Sequence, residues 1–172
     1  ELVKFWLADV GQKETDGKNR GKIMDEINTT LVVPLGSSYC LGGLVVRGLV
    51  PLCKKHNLKN PIKRFSSVIQ FWEYVNEHGA DYVHHKGANA LMGDICLMQS
   101  IKEPTKGHAY GITQNETVSQ KTVEYNTSPA GSRDGDGVWC LIRTQDGTPS
   151  KTYLGAVDVV SWILAFNPDF VL

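Results

Sequence analysis

Near residue 90 the hydrophobic pattern of this 172-residue chain changes period, and that change decides which architectures are open to it. Before it, apolar residues recur at helical spacing. Val3, Trp6, Leu7 and Val10 form a short stripe that stops at Gly11, and Ile23, Met24, Ile27 and Leu31 form a second. Residues 41–49 are almost wholly apolar and include Gly42, Gly43 and Gly48, the pattern of a buried central helix that lets another backbone come close. Pro51 is expected to end that helix, since an interior proline loses a hydrogen bond and clashes with the preceding turn. In SSVIQFWEYVNEHG, Ser66 or Ser67 caps a helix whose apolar face runs through Val68, Phe71, Trp72 and Val75 and which stops at Gly79. After residue 90, DICLMQ, HAYGIT, TVSQKTVEY and GVWCLIR read as strands separated by Gly, Pro, Asn and Asp turns. Helices first and strands later predict an α+β fold, N-terminal helices packed on a C-terminal antiparallel sheet, in a single domain over 1–172.

The charge balance narrows the function classes. Lys and Arg number 18, Asp and Glu also 18, and no basic cluster exceeds a few residues. Long-range steering toward nucleic acid or an anionic membrane is therefore not expected. No apolar run approaches the roughly 20 residues that span a bilayer, and no secretory signal is visible at Glu1. The four cysteines, Cys40, Cys53, Cys96 and Cys140, match no paired C-x-x-C zinc pattern and are expected to be reduced or buried.

One of them carries chemistry. In PLGSSYCLGGLVVRGL, Cys40 opens the apolar helix directly after a Gly/Ser loop. Unpaired N–H groups and the positive end of the peptide dipole favour a thiolate there. Cysteine acyl transfer also needs an imidazole to share the proton and a third group to orient the ring. His108, in KGHAYGIT, lies on a short strand opened by Gly107. Glu124, in TVEYNTSP, falls on the expected neighbouring strand, where a cross-strand contact with His108 is geometrically reasonable. Asn126 would share Glu124's face if the strand continues.

The order GDIC, GHAYGIT, TVEYNTS, DGDGVW resembles the CHAP family, the cysteine, histidine-dependent amidohydrolases/peptidases of phage lysins and bacterial wall enzymes. Glu14, Gly17, Asn19 and Gly21 resemble the E-x-x-G-x-N-x-G run of a phage-type branch, so the likeness spans roughly residues 8–143. It implies a papain-like (NlpC/CHAP-type) fold, with Cys40 as nucleophile, His108 as base, Glu124 as orienting carboxylate and Asn126 as a supporting polar group. It implies a peptidoglycan hydrolase that cleaves amide bonds, either an N-acetylmuramoyl-L-alanine amidase or a peptide-stem endopeptidase. Such an enzyme would be phage-released, secreted or periplasmic, would act on the cell wall as a monomer, and would need no metal or organic cofactor. The alternatives are an NlpC-type endopeptidase toxin, whose partner would be an inhibitor or immunity protein, and an inactive wall-binding domain. Tyr125 stands where the family often has glycine and is expected to shape the cleft.

Other conspicuous residues have plainer readings. His84 and His85 are expected to be solvated in a loop with Lys86 and Gly87. Asp134 and Asp136 mimic a calcium loop that no Glu closes, so a turn is expected. Glu14 and Asp16 lie among Lys13, Lys18, Arg20 and Lys22, a poor setting for calcium. Trp6, Phe71, Trp72, Trp139 and Trp162 are expected in the core.

Overall fold

The computed structural model describes residues 1–62, 64–86, 89–116, 118–129, 135–144 and 150–170. It is an α+β structure around one six-stranded antiparallel sheet of order β1-β6-β2-β3-β4-β5. The strands are β1 (Val83–His84), β2 (Ile95–Ser100), β3 (Gly107–Asn115), β4 (Ser119–Thr127), β5 (Gly137–Thr144) and β6 (Lys151–Val157). Helices α1 (Leu2–Leu7), α2 (Lys22–Leu31) and α5 (Val68–His78) lie where the periodicity places them. Ser67 caps α5 by accepting from the Gln70 amide, and Gly79 ends it. Strands β1 and β6 and a last helix, α6 (Val159–Ala165), are not foreseen. Among the described residues no helix is long and apolar enough to cross a membrane.

The central helix departs from expectation at Pro51. Helix α3 (Cys40–Leu44) runs into a π-helical segment, Val45–Leu49, and then into α4 (Val50–Lys55), so the helical run continues past the proline. Proline cannot donate, and its ring collides with the carbonyl one α-turn back. The wider π-turn just ahead of it removes the regular i−4 register in which that collision arises. The glycines of this run make room for side chains, not for another backbone. A Cβ on Gly43 would land on the ring of Tyr125, and one on Gly48 would land on the indole nitrogen of Trp6. That indole donates to the Leu44 carbonyl at 3.0 Å.

Both sheet faces are buried. Ile95, Leu97, Ala109, Val123, Tyr125 and Val138 meet the helices, while Cys96, Met98, Tyr110, Ile112 and Ala156 form a second cluster on the opposite face. Bulges at Leu97/Met98, Ile112/Gln114 and Tyr125/Thr127 bend the strands. Trp6, Phe71 and Trp162 are core as expected, whereas Trp72 and Trp139 are only half-buried.

Asp9 anchors the helical run to the sheet. Its carboxylate is almost fully buried and takes two bonds from Arg47 of the π segment, at 2.8 and 3.0 Å, and one from the Tyr125 hydroxyl at 2.9 Å. Tyr125 is therefore a core residue under Gly43, not part of a cleft. Gly48→Ala should lower stability by about 1–3 kcal/mol, the usual cost of overpacking. In urea unfolding, pairing it with Trp6→Leu should cost less than the sum of the two single changes.

Candidate active site

Strand β3 pairs with β4 only from Gly111 onward, while its first residues pair with β2 through Met98↔His108 and Gln99↔Gly107. Beyond Val123, β4 continues along β5, which it pairs from Ser119 to Thr127 with a bulge at Tyr125/Thr127. The start of α3 packs against both β3 and β4. A side chain at the first position of the helix can therefore reach the backbone where the two strands separate.

Cys40 is that side chain. Its sulfur interacts with the His108 ring and with the backbone amides of Ala109 and Leu41. His108 Nε2 lies 2.8 Å from Glu124 Oε2, and both side chains are completely buried. Nδ1, the other ring nitrogen, is buried, makes no hydrogen bond of regular geometry, and is the nitrogen left for the thiol. Cys40, His108 and Glu124 thus form a continuous chain of contacts, as the order of types along the sequence suggests.

Glu124 is the most heavily bonded group in the site. Arg143 on β5 grips it in a two-pronged ion pair, Nε to Oε1 at 2.7 Å and Nη2 to Oε2 at 2.6 Å. The Thr122 hydroxyl donates to Oε1 at 2.8 Å. Sequence reasoning misses both partners. A signal for Arg143 exists: an ionised carboxylate inside a sheet needs a cation, and Arg143 is the only one in GVWCLIRT.

The electrostatics follow from these contacts. Burial works against the ionised Glu124, but the Arg143 and His108 hydrogen bonds outweigh it and hold the carboxyl at about 2. Burial opposes charge on His108 too, yet the neighbouring Cys40 sulfur and the bond to Glu124 raise its pKa above the ordinary imidazole value. At Cys40 burial disfavours the thiolate, while the neighbouring His108 ring and its charge, helped by the two amides, bring the thiol below its ordinary value. The other cysteines go the opposite way: burial raises Cys53 and Cys140 and pushes Cys96 up to about 12. All four are free thiols.

The loop before Cys40 is organised by Glu14. Its Oε1 accepts from the Tyr39 hydroxyl at 3.0 Å and its Oε2 from the Asn19 amide at 2.9 Å. The Asn19 side chain donates to the Gly36 carbonyl at 2.9 Å. Glu14 and Asn19 thereby brace the residue immediately before Cys40 and the turn leading to it. Asp16 accepts from the Lys18 amide at 3.0 Å.

Asn126 does not take the place expected of it. The bulge at Tyr125/Thr127 interrupts the strand, and Asn126 adopts a left-handed φ of 55°, which ends the alternation that would align it with Glu124. Its backbone N–H serves the Tyr39 hydroxyl, and its buried Oδ1 has no partner. Among the described residues its side chain makes no hydrogen bond to His108 or Glu124. Asp134 lies outside the described residues, while Asp136 accepts from the Trp139 indole at 3.1 Å.

No protein-family model, no curated protein and no solved structure matches the chain.

Two expectations follow. Cys40 keeps 5 % of its surface, so a small alkylating reagent is the suitable probe. Its labelling by iodoacetamide should persist at pH values below the ordinary thiol range. Exposed Cys140, whose pKa is raised, should label only as pH climbs. Mass spectrometry of labelled peptides across pH reads both, and a Cys40 rate that rises with pH in step with Cys140 contradicts the ion pair. Separately, Arg143→Ala strips the buried Glu124 carboxylate of its guanidinium partner and should cost about 3–5 kcal/mol in urea unfolding. Arg20→Ala, which breaks the solvent-facing Arg20–Asp25 pair, should cost far less.

Proposed function

We propose that this chain is a CHAP-type cysteine amidohydrolase with a papain-like fold that cleaves amide bonds of peptidoglycan. The observation that carries the reading is the chain of contacts from Cys40, at a helix start, through His108 to a buried, Arg143-clamped Glu124. The motif resemblance supplies the substrate class. On this reading the protein works on the bacterial cell wall, as a phage lysin or a wall-lytic relative.

In the reaction Cys40 is the nucleophile and His108 the proton carrier, with Glu124 orienting the ring. The Cys40 thiolate attacks the scissile carbonyl carbon, and the electron pair of the C=O bond moves onto oxygen. The Cys40 amide, which has no intrahelical acceptor at the first helical position, donates to that oxyanion. Collapse breaks the C–N bond as the His108 imidazolium gives its proton to the departing amine, leaving a thioester on Cys40. Water then attacks the thioester, His108 takes its proton, and the acid leaves as the thiolate returns. Glu124 stays ionised throughout, because the hydrogen bonds from Arg143 and His108 keep its pKa near 2, while the Thr122 hydroxyl also donates to it. It therefore holds the imidazolium in one orientation and stabilises its charge.

Digesting purified peptidoglycan with wild type and Cys40→Ala, and identifying new termini by mass spectrometry, tests the reading and names the bond cut. Cys40→Ala should abolish turnover without unfolding, and His108→Ala should cost several orders of magnitude. Glu124→Gln should keep a small residual rate. Wall fragments from Cys40→Ala equal to those from wild type would overturn the mechanism. Wall binding without any new termini from wild type would leave the inactive-scaffold reading in its place.

The clamp also sets an acid limit. A carboxyl depressed from 4.5 to about 2 contributes stability that is fully present above the unfolded value and is lost as pH falls through the folded one. Wild type should therefore lose stability between about pH 4.5 and pH 2, and Glu124→Gln should show a shallower acid limb in pH-dependent thermal unfolding.

A further inference from the structure

His84 is not a solvated loop residue. It sits on β1 with 30 % of its side chain exposed, and its Nε2 is fully enclosed without a hydrogen-bond partner. Three adjacent strands bring two carboxylates to the same place. Val157, the last residue of β6, pairs with both Val83 and Ile95, so Asp158 just after β6 and Asp94 just before β2 converge on His84. One ligand atom from each of the three residues lies within 4.8 Å of the others. This cluster lies at the start of β2, whereas Met98, the residue that pairs with His108, lies further along the strand.

We propose that His84, Asp94 and Asp158 form a binding site for a divalent transition-metal ion, of which Zn²⁺ is the natural probe. The donor set decides the class of ion. An imidazole nitrogen with two carboxylates suits zinc and its neighbours, whereas calcium and magnesium prefer oxygen alone. Three protein ligands and an open position make a recurrent zinc arrangement. Tetrahedral bonds of about 2.0–2.2 Å put ligand atoms roughly 3.3–3.6 Å apart, so the three atoms must close by about 1 Å. Side-chain rotation supplies a shift of that size. Two carboxylates and a neutral imidazole carry two negative charges, which a dication balances.

The surroundings agree. Asp94 is almost completely buried with the Asp158 carboxylate beside it, so two negative groups are held close together there. One Asp94 oxygen, Oδ2, holds the Leu91 amide at 2.8 Å, and Asp158 Oδ1 holds the Ser161 amide at 2.9 Å. These bonds orient both carboxylates; Asp94 Oδ2 is also the oxygen that faces His84 Nε2, at 3.7 Å, and keeps a second lone pair for an ion. Asp94 and Asp158 also line a cavity of about 430 Å³, walled by Leu91, Met92, Val160 and Leu164. The cavity gives an ion a way in and leaves room for water at the remaining position. An ion here would tie together the ends of β1, β6 and β2, and the site is independent of Cys40.

The test titrates Zn²⁺ alone by calorimetry into the full chain carrying Cys40→Ala and Cys140→Ser, which removes the two competing thiols. One ion per chain should bind, and affinity should fall about tenfold or more in His84→Ala and in Asp158→Asn. Asparagine preserves the cap on the Ser161 amide, so the second variant retains the helix start if the first destabilises the fold. Zn²⁺ should raise the melting temperature of the parent and not of the variants. Cobalt in place of zinc should give visible ligand-field bands without thiolate charge transfer. Absence of binding, equal affinity in parent and variants, tighter binding of Ca²⁺ than of Zn²⁺, or thiolate charge transfer would each overturn the site.

Discussion

The Glu124 carboxylate is buried in the sheet with no exposed surface, and the rest of the structure is arranged around that fact. A lone carboxylate in such a place would take up a proton or unfold the strand that carries it. It stays charged because three strands deliver partners to it: Thr122 from β4 itself, Arg143 from β5 and His108 from β3. The ion pair is thus a condition for assembling the sheet. If β4 slips by one residue against β5, Glu124 turns to the helix face and Arg143 loses its counter-ion. The register of the sheet and the ionisation of the site are the same constraint seen at two scales.

The thiol depends on a second set of contacts that fixes the height and rotation of the central helical run. Trp6 occupies the space a side chain on Gly48 would fill, Tyr125 occupies the space at Gly43, and Asp9 ties Arg47 to the Tyr125 hydroxyl. Ahead of the helix, Glu14 holds Tyr39 and the Asn19 amide. Cys40 therefore lies between a packed helix behind and a braced loop before it. A shift of an ångström would suffice to lose the contact with His108, since hydrogen bonding falls off steeply with distance and angle. The helix terminus contributes part of the thiolate's stabilisation locally, and the imidazolium contributes the larger part from the sheet.

Much of this was legible in the sequence because the signals are local. The stripes of α2 and α5, the Ser67 cap and the four strands after residue 90 are statements about neighbouring residues, and local propensity and burial agree at each. Cys40, His108 and Glu124 were legible for a similar reason: a helix start, a Gly-His strand and the following antiparallel strand must be close if the sheet forms. Strands β1 and β6 were not, since the first is two residues long and the second is recognisable chiefly by its neighbours. His84 read as a loop residue because nothing near it in the chain announces Asp94 or Asp158.

By itself, then, the sequence determined the two-part α+β architecture, most of the elements and the three residue types that meet at the candidate site. Those properties follow from periodicity and caps, whose physical range is a few residues. The tertiary structure alone decided what happens where that range ends. It carried the helix past Pro51 through a π-turn, and it bulged β4 so that Asn126 faces away from its expected place. It also recruited Arg143 to Glu124 across a strand pair and gathered His84, Asp94 and Asp158 from three strand ends. Each of these depends on register and burial, and buried charge is satisfied by whichever partner the register brings within reach.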